Sequence, residues 1–200
     1  MIGRRSVISG AAALAAATSL RSARAQQDSK EVRIGAIYPF TGPGAQIGVE
    51  AKYALDTAVE VINGSYDVNL LRARDKGLPN LGGAKVRIVY ADHQADPQKG
   101  RAEAERLITQ EGVAALTGTY YSSVAAVVSQ VAERYQVPFI AAESSSPSLH
   151  RRGLKYFFRA GPHDEMFTNA MFEFIDEMAA AGTVSVKSIA LFYEDTLFGT

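Results

Sequence analysis

The chain has 200 residues, with 21 Lys and Arg against 21 Asp and Glu, and it contains neither cysteine nor tryptophan. The lack of cysteine excludes disulfides, thiolate metal sites and cysteine nucleophiles, so the fold must depend on an apolar core, which 47% hydrophobic residues can supply. Basic residues are nowhere dense enough to indicate nucleic-acid binding, and the pair Arg151 and Arg152 is typical of a solvated loop.

Residues 1–25 are predicted to be a cleaved export signal. Arg4 and Arg5 precede a soft apolar run over residues 7–20, and Ala-Arg-Ala at 23–25 is the small-x-small pattern that a signal peptidase cuts before Gln26. The run is too short for a membrane span, and the arginine pair resembles a twin-arginine signal. Because this segment has four arginines and no acid, 17 basic and 21 acidic residues remain, which predicts a soluble exported chain of net charge about −4.

Strands and helices alternate through residues 26–160, the predicted first lobe. Apolar periodicity predicts helices over 49–62, 97–111 and 124–135, and a polar surface excursion over 65–84. The predicted strands are 32–38, 85–91, 113–117, 138–142 and 156–160. This alternation predicts an α/β fold, in which a doubly wound parallel sheet has right-handed crossovers and helices on both faces.

The pattern restarts after Gly161 and Pro162, so residues 161–200 are predicted to begin a second α/β lobe. A helix is predicted over 165–181, and its apolar side chains should point inward. A strand should follow over 188–193. The inward side chains are Phe167, Met171, Phe174, Ile175 and Met178. One helix and one strand cannot bury enough apolar surface to stand alone, so the second lobe is expected to be truncated at Thr200.

Hydroxyl-rich loops follow several predicted strands. Parallel sheets bind ligands beyond the carboxyl ends of their strands, where the loops 39–47, 118–123 and 141–147 should converge. Ser122 and Ser123 stand where a helix begins, so their hydroxyls can cap that helix or share its free N–H groups with a ligand carboxylate. We expect them to face Ser144 and Ser145 across one site.

Catalytic motifs have little support. Gly42-Pro43-Gly44 departs from the dinucleotide fingerprint, because Pro43 intrudes, the third glycine is displaced to Gly48, and the expected acidic residue is missing. The three histidines have no partner fixed by spacing, and no Gly-x-Ser-x-Gly elbow surrounds the serines at 144–146. The chain is therefore predicted not to be an enzyme, and a secreted α/β hydrolase is the less favoured alternative.

Short motifs stand in a characteristic order along the chain. After the export signal come Tyr-Pro-Phe-Thr-Gly-Pro-Gly-Ala-Gln-Ile-Gly at 38–48 and Asp-His-Gln-Ala-Asp-Pro at 92–97. They are followed by Gly-Thr-Tyr-Tyr-Ser-Ser at 118–123, Ala-Glu-Ser-Ser-Ser-Pro at 142–147 and Asp-Thr-Leu-Phe-Gly at 195–199. Together they resemble the branched-chain amino-acid-binding proteins, the type I periplasmic solute-binding proteins of ABC transporters. The resemblance runs from Glu31 to Thr200.

This resemblance implies two Rossmann-like lobes joined by a hinge, which closes on an amino acid or similar small carboxylate. It further implies a monomer in the periplasm that delivers its ligand to a membrane permease and needs no cofactor or metal. By position, Ser122 falls on the family's carboxylate-binding serine, with Ser123 beside it. The small-residue turn that binds the ligand falls on Glu143, Ser144 and Ser145.

Several positions depart from the family's pattern. Phe198 falls on the aromatic residue that closes over the ligand but lacks its hydroxyl, and Ile47 stands where an aromatic often packs on the ligand side chain. Ala95 and Tyr121 replace a cysteine pair found in some members, and Glu143 introduces a carboxylate where small residues are usual. The acid that would bind the ligand's α-ammonium falls beyond Thr200. An amide, urea or aromatic acid therefore stays open as the alternative ligand, because Glu143, Tyr120 and Tyr121 could suit such a solute.

Overall fold

A parallel five-stranded sheet organises residues 31–199, the part of the chain that the computed structural model describes. In chain order the strands are β1 (Glu31–Tyr38), β2 (Lys85–Asp92), β3 (Ala115–Gly118), β4 (Phe139–Ala141) and β5 (Phe157–Arg159). Their order across the sheet is β2-β1-β3-β4-β5. The chain thus changes direction across the sheet beside β1, which is the switch point of a doubly wound fold. The predicted α/β fold class is confirmed.

Two helices, α2 (Pro97–Thr109) and α3 (Ser122–Tyr135), pack side by side on one face of the sheet. Asp96 caps α2 by accepting hydrogen bonds from the N–H groups of Gln98 and Lys99, at 2.7 and 3.3 Å. Buried side chains from these helices and from the strands form one core cluster, which includes Ile37, Leu107, Leu116, Val124, Val128 and Phe139. This core fixes where α3 begins relative to the ends of the strands.

Helix α1 (Ala45–Asn63) lies on the opposite face, over β1 and β2. Tyr90 points to this face because its neighbour Ala91 belongs to the core cluster, and its hydroxyl donates to the Asp56 carboxylate at 2.6 Å. Among the described residues, nothing covers the same face at β4 and β5, where Ile140 and Phe158 are exposed. The prediction of helices on both faces is confirmed, with unequal coverage.

The structure differs from the sequence-based expectations after β5. Helix α4 (Asp164–Ala180) forms as predicted, but none of its residues is buried: of its expected inward face, Phe167, Met171 and Phe174 are exposed and the other two are only half-buried. The predicted strand over 188–193 is wrong, since that segment has no regular structure and Leu191 and Phe192 are exposed. A strand needs a neighbour to bond its N–H and C=O groups, and within residues 31–199 it has none. The division into lobes at residue 160 stays a prediction.

The remaining expectations concern segments outside the sheet. Residues 65–84 contain only the short 3₁₀ helix Pro79–Leu81 as regular helical structure, as expected for a surface excursion. The export signal predicted over 1–25 lies outside the described residues. No helix within residues 31–199 has both the length and the apolar character needed to cross a bilayer.

Gly118 ends β3 with φ of +106°, and a Cβ there would lie 2.5 Å from Tyr38 Cε2 and 2.6 Å from the Ile37 carbonyl oxygen. Gly118→Ala should therefore lower the free energy of unfolding by about 2 to 4 kcal/mol, measured by chemical denaturation. Gly82→Ala is the matched control, because Gly82 also has positive φ but its Cβ would meet no other atom within 4 Å. That control should lose only about 1 kcal/mol. Equal losses would contradict a steric role for the position.

Candidate functional site

A pocket of about 330 Å³ opens at the carboxyl ends of β3 and β4. Most of the sequence-predicted site residues line it: Tyr121, Ser122, Ser123, Glu143, Ser145 and Phe198. Ser144 and Ile47 do not line it, since Ser144 is buried behind the wall and Ile47 lies on α1. Tyr120, which the sequence suggested only for the alternative ligand, also lines it, and the lining residues not predicted as site residues are Ala95, Glu194 and Thr196.

The start of α3 supplies hydrogen-bond donors to this pocket. Tyr121 precedes the helix and no side chain caps it, so Ser122 is the first helical residue rather than a cap. Within the described chain, the N–H groups of Ser122 and Ser123 have no hydrogen-bond acceptor. The Ser122 hydroxyl accepts from the Ser146 N–H at 3.2 Å, which leaves its own hydrogen free to be donated. The site therefore offers up to three donors at one point.

Ser144–Ser146, here called the serine turn, lies beside the start of α3, and its Ser145 contributes to the wall of the pocket. Ser144 Oγ donates to the Tyr120 carbonyl at 3.0 Å, so the Thr119 hydroxyl must donate to Ser144 across their 3.0 Å contact. Ser144 is 1% exposed, and it joins the β3 and β4 loops behind the pocket. Its hydroxyl is thus committed to the protein, whereas Ser145 is one of the residues that line the pocket.

Arg159, at the end of β5, lies beneath the serine turn. Its guanidinium donates to the carbonyls of Ser144 and Ser146 at 2.5 and 2.7 Å. The Asp164 N–H donates to the carbonyl of Ser145 at 3.1 Å, so all three carbonyls of the turn are bonded to the β5–α4 junction. Sequence reasoning missed Arg159, and the available signal was a cationic residue inside a short predicted strand.

Non-glycine residues with left-handed backbone occur in two loops beside the pocket. Thr119 and Tyr120 follow β3 with φ of 81° and 55°, and Gln94 and Ala95 follow β2 with φ of 53° and 58°. Such conformations cost about 1 kcal/mol or more each and persist only where surrounding contacts enforce them. Four of the seven non-glycine residues with positive φ in the described chain thus lie in these two loops.

His93 holds these two strained loops together. Its Nδ1 accepts from the Ala95 N–H at 3.0 Å, so Nε2 carries the ring hydrogen and donates to the Thr119 carbonyl at 2.9 Å. The ring is fully buried, and this burial lowers the pKa of His93 below its ordinary value of 6.5. Both nitrogens serve the backbone, so His93 is not placed to act as a base for a pocket serine.

The buried His93 should make stability depend on pH. The unfolded chain takes up a proton near pH 6.5, whereas the folded protein resists protonation to lower pH, so the unfolded state binds more protons in that range. This contribution is complete above about pH 6.5 and is lost as the pH falls. The melting temperature of His93→Gln should therefore fall less between pH 7 and 5 than that of the wild type. The pKa of the exposed His150 is also lowered, by partial loss of water and by the nearby positive charge of Arg159, so His150→Gln should flatten the slope too, but less than His93→Gln does.

Glu143 brings a carboxylate to the pocket wall. The buried hydroxyl of Tyr38 donates to Glu143 Oε1 at 2.9 Å. Glu143 as a whole is exposed, but its carboxyl group is partly shielded from water, and this loss of solvation raises the pKa of Glu143. The hydrogen bond from Tyr38 acts in the opposite direction and lowers that pKa. Burial and the nearby Glu143 charge likewise raise the pKa of Tyr38. Tyr38 therefore stays protonated and anchors Glu143 from the first strand.

Metal sites and serine–histidine pairs need particular arrangements of polar groups around a pocket. Across residues 31–199 no three His, Asp or Glu side chains approach one another closely enough to share a metal ion. No hydrogen bond joins a pocket serine to a histidine within those residues. The pocket instead combines free N–H groups, serine hydroxyls and the aromatic rings of Tyr120, Tyr121 and Phe198.

Comparisons with known proteins show the family of this chain. Residues 31–200 match the sequence profile of the family described as periplasmic binding proteins. The Leu/Ile/Val-binding protein homolog 7 of Brucella suis biovar 1 is 34% identical over 175 residues, which cover 86% of this chain and 40% of the relative. Homolog 8 of Brucella abortus is 29% identical over 173 residues, covering 85% of this chain and 40% of that protein. The chain thus spans about 40% of the length of these relatives.

Solved structures show the same fold. A leucine binding protein from Thermotoga maritima superposes with a TM-score of 0.60 at 23% identity, covering 74% of this chain and 38% of that one. A solute binding protein of an ABC transporter from Rhodopseudomonas palustris HaA2, in complex with p-hydroxybenzoic acid, gives 0.58 at 24% identity, with coverage of 76% and 36%. At these identities the likeness concerns the fold alone.

Proposed function

Because this chain belongs to the periplasmic binding protein family, we propose that it is the solute-binding component of an ABC transporter and captures an amino acid or similar small carboxylate. The observation that carries the proposal is the pocket at the start of α3. There the Ser122 hydroxyl and the N–H groups of Ser122 and Ser123 can each donate a hydrogen bond to a ligand. A helix N-terminus carries partial positive charge and suits a carboxylate.

Binding follows from these donors. The ligand carboxylate accepts hydrogen bonds from the Ser122 hydroxyl and from the N–H groups of Ser122 and Ser123, with Ser145 in the wall of the pocket. Each charge-assisted bond contributes roughly 1.5 to 3 kcal/mol. Phe198 approaches from the segment after α4 and covers the ligand. Closure of a second lobe about the β5–α4 junction then completes the site and presents the closed form to a membrane permease.

Ligand screening tests this function. A thermal-shift screen of the full chain against amino acids, small amides and aromatic acids should reveal at least one carboxylate that raises the melting temperature in proportion to the logarithm of its concentration. A related amide without the carboxylate should give no shift. The proposal fails if none of these carboxylates stabilises the protein at millimolar concentration.

An aromatic acid is the second candidate ligand within the same role. Tyr120 and Tyr121 lie edge to face with ring centroids 5.1 Å apart, and both line the pocket together with Phe198. Aromatic rings favour such edge-to-face contacts with one another and with an aromatic ligand. The Rhodopseudomonas structure named above holds p-hydroxybenzoic acid, so hydroxybenzoates belong in the screen beside leucine, isoleucine and valine.

Export to the periplasm is part of the proposal. It is supported by the family and by the predicted signal over residues 1–25, with cleavage after Ala25. Mass spectrometry of the periplasmic fraction should find a mature protein that begins at Gln26. An uncleaved N-terminus, or recovery from the cytoplasm alone, would contradict it. We propose further that the mature protein is a monomer with lobes divided at residues 160 and 161, and neither metal nor cofactor is needed for binding.

A further inference from the structure

The pocket contains negative charge but no positive charge. Glu143 and Glu194 both line it, whereas no Lys, Arg or His is among its lining residues. Arg159 lies behind the wall, but its guanidinium already donates to the carbonyls of Ser144 and Ser146. Cationic side chains of the described protein are therefore not placed to neutralise Glu143 when a ligand fills the pocket.

The position of Glu143 is fixed by the core of the sheet. Tyr38 is 2% exposed and ends β1, and its hydroxyl donates to Glu143 Oε1 at 2.9 Å. One neutral donor does not satisfy a carboxylate, which has acceptor sites on both oxygens. A ligand that covers Glu143 removes water from it, and this costs free energy unless the ligand returns a hydrogen bond or a positive charge.

Two sets of groups in the pocket thus have opposite requirements. The start of α3 offers donors for an anionic group, and Glu143 offers an acceptor for a donor-bearing or cationic group. We propose that Glu143 determines ligand specificity by binding a nitrogen group, so that the protein selects small carboxylates that also carry an ammonium, amidinium or amide nitrogen. This inference rests on the proposed function, because it assumes that the ligand carboxylate lies at Ser122.

The proposal makes a distinct statement about each class of candidate ligand. Monocarboxylates without nitrogen leave Glu143 covered and unpaired, so they should bind weakly. Dicarboxylates place a second negative charge close to Glu143 and Glu194 and should be rejected. Ligands with a carboxylate and a nitrogen group can bond both the donors at the start of α3 and the carboxylate of Glu143.

Pairs of ligands that differ in the nitrogen group test the proposal by calorimetry on the full chain. The pairs are L-leucine with 4-methylpentanoate, L-lysine with L-norleucine, and 4-(aminomethyl)benzoate with 4-methylbenzoate. In the wild type, the nitrogen-bearing member of at least one pair should bind about tenfold or more tightly, as expected for one charge-assisted hydrogen bond. Glu143→Gln, which preserves size and removes the charge, should abolish that advantage.

Asp56→Asn is the matched control, since Asp56 also accepts a hydrogen bond from a tyrosine hydroxyl, that of Tyr90, but does not line the pocket, so this variant should keep the preference. Tyr38→Phe removes the hydrogen bond to Glu143 and should reduce the preference without abolishing it. If carboxylates bind but show no preference for nitrogen, or if Glu143→Gln keeps the preference, the inference is wrong and the proposed function survives. If no carboxylate of the pairs or of the thermal-shift screen binds, the proposed function fails and the inference falls with it.

Discussion

Arg159→Met should weaken ligand binding by at least about a hundredfold and lower the free energy of unfolding by about 3 kcal/mol or more. The guanidinium holds the carbonyls of Ser144 and Ser146 at 2.5 and 2.7 Å, beneath the wall of the pocket. Without it, two buried carbonyls lose their donors and the serine turn no longer has one enforced conformation. Calorimetric titration and chemical denaturation measure the two losses.

A positioning role for Arg159 can be separated from a general structural one. Arg152 is the matched control, because its guanidinium also donates to carbonyls, those of Leu149 and Ala126, and to Ser129 Oγ, but does not line or support the pocket. Arg152→Met should lose similar stability and keep wild-type affinity. Arg159→Lys retains the charge, so it should be more stable than Arg159→Met and should recover part of the wild-type ligand affinity. Equal affinity losses for the two methionine variants would refute the positioning role.

Ser122→Ala should weaken binding of the carboxylate ligand by about tenfold to a hundredfold, which corresponds to one charge-assisted hydrogen bond. The change should lower the free energy of unfolding by about 1 kcal/mol, because the Ser146 N–H loses its acceptor at 3.2 Å. The fold should remain intact, since α3 has no side-chain cap to lose. Isothermal titration calorimetry measures the affinity, and circular dichroism checks the fold.

Ser129→Ala provides the comparison for this variant. Ser129 lies on the same helix and is equally buried, but its hydroxyl bonds the Ala125 carbonyl and accepts from Arg152, away from the pocket. Its replacement should leave the affinity unchanged. An unchanged affinity in Ser122→Ala would instead remove Ser122 from the proposed site and with it the orientation of the ligand.

Apolar periodicity and capping signals predicted the architecture well. The strands β1 and β2 were predicted to within one residue at each end, and the Asp96 cap was predicted with its proline. These signals work because they are local: a strand buried on both faces is continuously apolar, and a cap bonds N–H groups two and three residues away. The predicted strand over 188–193 failed because strand formation depends on a partner, which no local pattern supplies.

The candidate site was predicted in part for the same reason. Ser122, Ser123 and Ser145 were identified because strand ends meet at one edge of a parallel sheet, and the structure brings them to one pocket. Local signals could not separate Ser144 from Ser145, although one is committed to Thr119 and Tyr120 and the other lies at the wall. That difference depends on tertiary contacts, because the groups that Ser144 bonds lie 24 and 25 residues away in the sequence.

The sequence by itself determined the α/β class, the order of the elements and the hydroxyl-rich loops at the ends of the strands, because short-range periodicity and turn chemistry encode these features. Only the tertiary structure decided which polar groups are free for a ligand. Arg159, His93 and Tyr38 lie far along the chain from the groups they bind, and their hydrogen bonds arise from the packing of the sheet. The same packing leaves the donors at the start of α3 unpaired and holds Glu143 in the lining of the same pocket.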